Sequence, residues 1–121
     1  MSEPITIGKL IKLLEIEPQD NNVRYDFARF TTNGIDSYRG YYDQLAIGWT
    51  SEAERPVKVS ELLAELKSAI GKTFTGYKGG KYTMDENTPV WCANYGDCHD
   101  TAITGIANCS WATVISTEFC S

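Results

Sequence analysis

Ile5-Thr-Ile-Gly-Lys-Leu-Ile-Lys-Leu-Leu14 and Val57-Lys-Val-Ser-Glu-Leu-Leu-Ala-Glu-Leu66 are the two stretches on which the fold turns. The first sets Ile7, Leu10, Ile11 and Leu14 at helical spacing behind Thr6, whose hydroxyl can cap a first turn. The second begins a run over 59–70 that sets Leu62, Leu63, Leu66, Ala69 and Ile70 on one face, with Ser60 as the expected N-cap and Gly71 as the stop. Each predicts an amphipathic helix, and each stripe needs another layer to cover it.

The rest of the chain supplies that layer as strands. Pro18-Gln-Asp-Asn-Asn22 ends the first helix, and residues 23–30 then alternate Val23, Tyr25 and Phe27 with Arg24, Asp26 and Ala28, the pattern of a half-buried strand. A second strand is expected over 41–49, with the turn formers of Thr31 to Gly40 as the connection. Further strands are expected over 81–84, 90–95, 101–107 and 111–117, separated by turns at 85–89 and 94–97. The class is therefore α+β, two helices packed on a mostly antiparallel sheet.

At 121 residues the chain has the size of one domain, 1–121. The likeness of the two helical openings, of Gln44-Leu-Ala-Ile-Gly to Asp100-Thr-Ala-Ile-Thr-Gly, and of Tyr38-Arg-Gly-Tyr to Tyr77-Lys-Gly-Gly suggests a duplicated helix-plus-strands unit, 5–49 and 57–107. Amphipathic helices also resemble one another without common origin, so both readings stand at this level.

Charge narrows the function classes. A net charge of −5 and a pI near 4.8 argue against general binding of nucleic acid or anionic membranes, which draws on excess Lys and Arg. No apolar run approaches a membrane span, and the first residues lack a signal-peptide pattern, so a cytoplasmic location is expected. Cys92, Cys98, Cys109 and Cys120 are irregularly spaced around the single His99; reduced thiols are expected, with disulfides and zinc as the alternatives.

Three segments carry binding chemistry. Ser37-Tyr-Arg-Gly-Tyr-Tyr-Asp43 offers Arg39 for bidentate contact with phosphate and Tyr41 for stacking. Phe74-Thr-Gly-Tyr-Lys-Gly-Gly-Lys-Tyr82 offers Tyr77, Lys78, Gly79 and Lys81, where glycines can turn backbone N–H groups towards an anion. Trp91 and Asn94 could stack on a base and read its edge. Each has a plain counterpart: strand aromatics with Arg39 paired to Asp43, a glycine-rich hairpin, and a core Trp beside a turn Asn. No nucleophile elbow or metalloprotease motif is present, and no carboxylate pair has a spacing that commends it, so neither an enzyme nor a cofactor is expected.

The motifs Ile7-Gly-Lys-Leu-Ile-Lys-Leu-Leu, Ser37-Tyr-Arg-Gly-Tyr-Tyr-Asp-Gln-Leu-Ala-Ile-Gly, Phe74-Thr-Gly-Tyr-Lys-Gly-Gly, Thr88-Pro-Val-Trp and Asn94-Tyr-Gly resemble those of a family of small tailed-phage proteins, over the chain up to about Ile106. The resemblance implies a counter-defence protein acting in the host cell cytoplasm. Two mechanisms fit it: sequestering a nucleotide second messenger of host immunity, as a homo-oligomeric sponge, or capping a host defence protein in the anti-CRISPR or anti-restriction manner. The Arg-, Lys-, Gly- and Tyr-rich segments favour the nucleotide-like small molecule as partner.

Overall fold

The structure, a computed structural model, describes residues 4–26, 30–37, 44–51, 56–75, 81–92, 100–109 and 112–120. The first apolar stripe forms α1 (Ile7–Glu15), capped by Thr6, whose Oγ1 accepts a 3.3 Å hydrogen bond from the Lys9 backbone N–H. The second forms α2 (Val59–Ala69), and Gly71 beyond it takes φ of 84°, the left-handed conformation glycine adopts without strain.

The cap of α2 is Lys58 rather than the expected Ser60. Lys58 bridges Asn22 in an extended conformation, so the chain turns helical directly after it. Its side chain has no acceptor, and Glu61 Oε1 instead accepts from the Lys58 backbone N–H at 3.4 Å. Leu10, Leu14 and Leu66 are wholly inaccessible and Leu63 is 8% exposed, as expected, but Ile70, expected on the same stripe, is the extended C-cap of α2 and is 40% exposed.

The described residues form eight strands: β1 (Asn22–Tyr25), β2 (Phe30–Ser37), β3 (Leu45–Ser51), β4 (Thr73–Thr75), β5 (Lys81–Thr83), β6 (Val90–Cys92), β7 (Asp100–Cys109) and β8 (Ala112–Cys120). Six make one sheet in the order β1-β8-β7-β6-β3-β2, while β4 and β5 pair separately as an antiparallel hairpin. Within the large sheet β1 runs parallel to β8 and β3 parallel to β6; the other pairs are antiparallel.

One expectation fails at β2. Thr31 to Ser37, read as a connection because of its turn formers, is strand paired to β3. Its register shifts between Thr32 and Ile35, and Gly34 there has φ of 76°, so Asn33-Gly34 serve a bulge rather than a loop. The likeness of Gln44-Leu-Ala-Ile-Gly to Asp100-Thr-Ala-Ile-Thr-Gly also misleads. The first leads into β3 and the second opens β7, and these strands hold different places in the sheet.

The sheet curls until its edges β1 and β2 lie against each other, giving a nearly barrel-like form. Val23, Tyr25, Leu45, Ile47, Val90, Cys92, Ile103 and Ile115 share one core cluster with the two helix stripes. Tyr25 reaches from β1 to β3, its hydroxyl donating to the Ile47 carbonyl at 2.9 Å.

Each helix enters through a short extended lead that pairs with a strand from the other part of the chain. Val90 N–H donates to Ile5 O at 3.0 Å and Ile7 N–H to Thr88 O at 2.9 Å. In the same way Val23 N–H donates to Val57 O at 2.7 Å and Val59 N–H to Asn21 O at 2.9 Å.

Two buried hydroxyls make opposite expectations. Tyr25 has its acceptor, so Tyr25→Phe should lower stability by about 1 kcal/mol. Thr32 is 2% exposed and its Oγ1 has no partner among the described residues, so the isosteric Thr32→Val should leave stability unchanged or raise it by up to about 1 kcal/mol. Urea unfolding of the two variants checks both signs.

Candidate functional site

A cleft of about 340 Å³ lies where the first turns of α1 meet the turn before β6, lined by Thr6, Gly8, Lys9, Lys12, Glu86 and Asn87. The turn is held by its own side chains. Asp85 Oδ1 accepts from Asn87 N–H at 2.8 Å, and Thr88 Oγ1 accepts from Asp85 N–H at 3.0 Å. Gly8 lets the helix come close: its N–H donates to Glu86 O at 2.9 Å, and an added Cβ would stand 3.0 Å from both Glu86 Cβ and Glu86 O.

The donors of the first turn are already engaged. Ile7 and Gly8 N–H go to the 86–88 turn, while Lys9 and Leu10 N–H go to Thr6. An anion here would therefore be held by side chains and not by the helix end. Lys9 and Lys12 are one turn apart, both exposed, and neither ammonium is ion-paired among the described residues. Glu86 and Asn87 on the opposite wall can accept hydrogen bonds, so the lining suits a ligand that joins phosphate to amino or hydroxyl groups.

Of the residues singled out from sequence, Arg39, Tyr41, Tyr77, Lys78, Gly79 and Asn94 lie outside the described residues. Lys81 is in β5, opposite Thr75 in the separate hairpin. Trp91 is in the middle of β6 with Ala46 and Ala102 as its register neighbours; it is half-buried and alternates with the buried Val90 and Cys92. Lys81 and Trp91 thus stand on two different sheets.

Directly after residues 38–43 in sequence, Leu45 N–H donates to Pro89 O at 2.9 Å. Pro89 in turn bridges Thr6, a residue of the cleft wall. Cys92, the last described residue before 93–99, pairs with Ile47 at the other end of the β3–β6 register.

The lysines of the cleft were not singled out from sequence, although a signal was available. In the two helical stretches Lys9 and Lys12 align with Glu61 and Ala64, a change of charge within an otherwise shared apolar pattern.

Burial pushes the Cys92 thiol up to about 12, with Asp26 adding to the rise and the Tyr25 hydroxyl opposing it. Cys92 and Cys109 are free thiols. The Asp26 carboxylate ties β1 to β8, accepting from Thr117 N–H at 2.8 Å and Thr117 Oγ1 at 2.5 Å. Glu17 likewise accepts from Asn108 and Thr113, each at 2.9 Å. Among the described residues no group of three or more His, Cys, Asp or Glu is placed to hold a metal, and no helix is long and apolar enough to cross a membrane.

No family model matches the chain, and neither a curated protein nor a solved structure matches it.

Two outcomes follow from this geometry. Gly8→Ala should destabilise the protein even though Ala gains about 1 kcal/mol of helix propensity, whereas Ser60→Ala, at the matching place on α2, should stay within about 0.5 kcal/mol of wild type. The Cys92 thiol is raised from 9.0 to about 12 in the fold, so the unfolded chain loses this proton first as pH rises. Stability owed to Cys92 is complete below pH 9 and falls from there to pH 12, by on the order of 4 kcal/mol in all. Denaturant melts across pH 8 to 11 should show that slope in wild type and not in Cys92→Ala.

Proposed function

We propose that the protein is a non-catalytic binder that sequesters a phosphorylated nucleotide at the end of the sheet where α1, the 85–88 turn and the start of β3 meet. The observation that carries this reading is the pair Lys9 and Lys12, without ion-pair partners among the described residues, on a cleft whose wall residue Thr6 is bridged to Pro89, which in turn accepts from Leu45, close in sequence to Arg39. Phosphate recognition needs cations: the two lysines of the cleft supply them, and Arg39 is the proposed third. A base needs acceptors and a π face; Asn87 and Glu86 supply the first and Tyr41 the second.

Sequestration calls for no general base, nucleophile or metal, and the carboxylates of Asp26 and Glu17 are spent on structural ties. Within the tailed-phage resemblance, this chemistry corresponds to removing a nucleotide second messenger of host immunity.

Calorimetry against cyclic and linear di- and trinucleotides and cyclic ADP-ribose isomers tests the reading. At least one should bind stoichiometrically, and Arg39→Ala or the double variant Lys9→Ala/Lys12→Ala should weaken it by roughly 1.5–3 kcal/mol per lost cation with folding intact. Failure of the whole panel to bind would abandon this reading in favour of direct capping of a host defence protein.

A further inference from the structure

The parts of the chain on either side of residues 52–55 are built alike, and each completes the other. Exchanging α1 with α2, β1 with β6, β2 with β7 and β3 with β8 carries the large sheet onto itself. The parallel pair β1–β8 becomes the parallel pair β6–β3, and the antiparallel pair β7–β8 becomes β2–β3. The β6–β7 pair becomes the close approach of β1 to β2. The hairpin β4–β5 is an addition to the second half, between α2 and β6.

The registers obey the same exchange. Val23 opposite Thr113 corresponds to Val90 opposite Leu45, and Tyr25 opposite Ile115 to Cys92 opposite Ile47. Ile35 opposite Ile47 corresponds to Ile106 opposite Ile115, and Thr32 opposite Trp49 to Ile103 opposite Thr117. Both ladders shift register at the same place, ahead of Gly34-Ile35 in one and at Gly105-Ile106 in the other. The helix leads agree as well, with Ser60 N–H to Gln19 O at 3.2 Å matching Gly8 N–H to Glu86 O at 2.9 Å. Glu15 and Lys67, matching positions on the two helices, meet each other at 3.4 Å, as residues beside a two-fold axis must.

The pairings that complete the sheet run between the halves. In the first half β1 has no ladder to β2 or β3; its ladder is to β8, and the outer side of β3 is taken by β6. The lead of α1 pairs beside β6 and the lead of α2 beside β1. The second half that completes a first half need not belong to the same chain, since every copy presents the same surface.

We propose that this inter-half surface also fits a second copy of the chain. Two copies exchange halves about residues 52–55, each barrel taking its first half from one copy and its second half from the other. The contacts of the closed monomer and of the exchanged dimer are the same, so the balance rests on the effective concentration of the tethered half, of order mM for a short tether. Dilute protein is then monomeric, and exchange becomes visible where concentration approaches that value or where a chain cannot complete its own barrel.

Complementation between full-length chains is the test. Leu10→Asp disables the first half and Leu62→Asp disables the second, at matching positions that are both wholly buried. Neither variant should fold alone. Unfolded and refolded together, they should recover about half the native near-ultraviolet circular dichroism per chain, in a complex containing one copy of each. A mixture that remains the sum of its parts overturns the proposal. Should either variant fold by itself, wild type decides: isotopically heavy and light chains, unfolded, mixed and refolded at about 1 mM, should give dimers of mixed mass by native mass spectrometry, and refolding to monomers only overturns the exchange.

Discussion

The backbone pairing of each helix lead with the start of a strand from the other half is the constraint on which the remaining structure depends. Ile5 and Ile7 are tied to Val90 and Thr88, and Val57 and Val59 to Val23 and Asn21, before either helix has made a turn. Those ties fix where each apolar stripe points. Because α1 and α2 begin from leads anchored to the barrel wall, Leu10, Leu14, Leu62 and Leu66 are directed into the space that β1, β3, β6 and β8 enclose, and all four are inaccessible to solvent. Helices this short gain little from propensity alone, so their stability comes from that burial.

The same anchoring creates the cleft. Holding Thr6 against Pro89 and Gly8 against Glu86 brings the exposed face of α1 alongside the 85–88 turn, and Gly8 sets how close the two can come. The acceptors of that turn consume the first N–H groups of the helix. What remains for a ligand is side-chain chemistry, the ammonium groups of Lys9 and Lys12 against the acceptors of Asn87 and Glu86. Within the proposed nucleotide-binding reading, specificity would then reside in the spacing of flexible cations and in the 38–43 segment, with the barrel serving as the frame.

Both helices were legible in the sequence, because a stripe at 3.6-residue spacing is a local signal that tertiary context rarely overrides. The α+β class followed from strand patterns that were also local. β2 was not legible: Thr31-Thr32-Asn33-Gly34 has the composition of a turn, and only pairing with β3 reveals it as a bulged strand. The α2 cap was misplaced for a similar reason, since Lys58 is held extended by Asn22 from far away in sequence. As for the site, sequence pointed to aromatic and glycine-rich segments of distinctive composition, of which Lys81 and Trp91 occupy separate sheets. It passed over Lys9 and Lys12, which line a cleft only because the 85–88 turn packs opposite them.

If a ligand were held by what the halves have in common, the chain would offer two matching sites. At the positions matching Lys9 and Lys12 on α2 stand Glu61 and Ala64, and Glu61 is occupied in accepting the Lys58 N–H. Gln19 and Asp20 stand where the first cleft has Glu86 and Asn87, and Ser60 replaces the glycine that allows close approach, with a backbone contact longer by a few tenths of an ångström. The framework of leads, ladders and bulges is kept in both halves, whereas the charges and the fit at the helix starts are not. Under the nucleotide-binding reading the cation pair exists once per chain, and the second half contributes the 85–88 turn that faces it. A site assembled from both halves in this way passes unchanged from the closed monomer to a half-exchanged dimer, because each barrel still contains one α1 and one 85–88 turn.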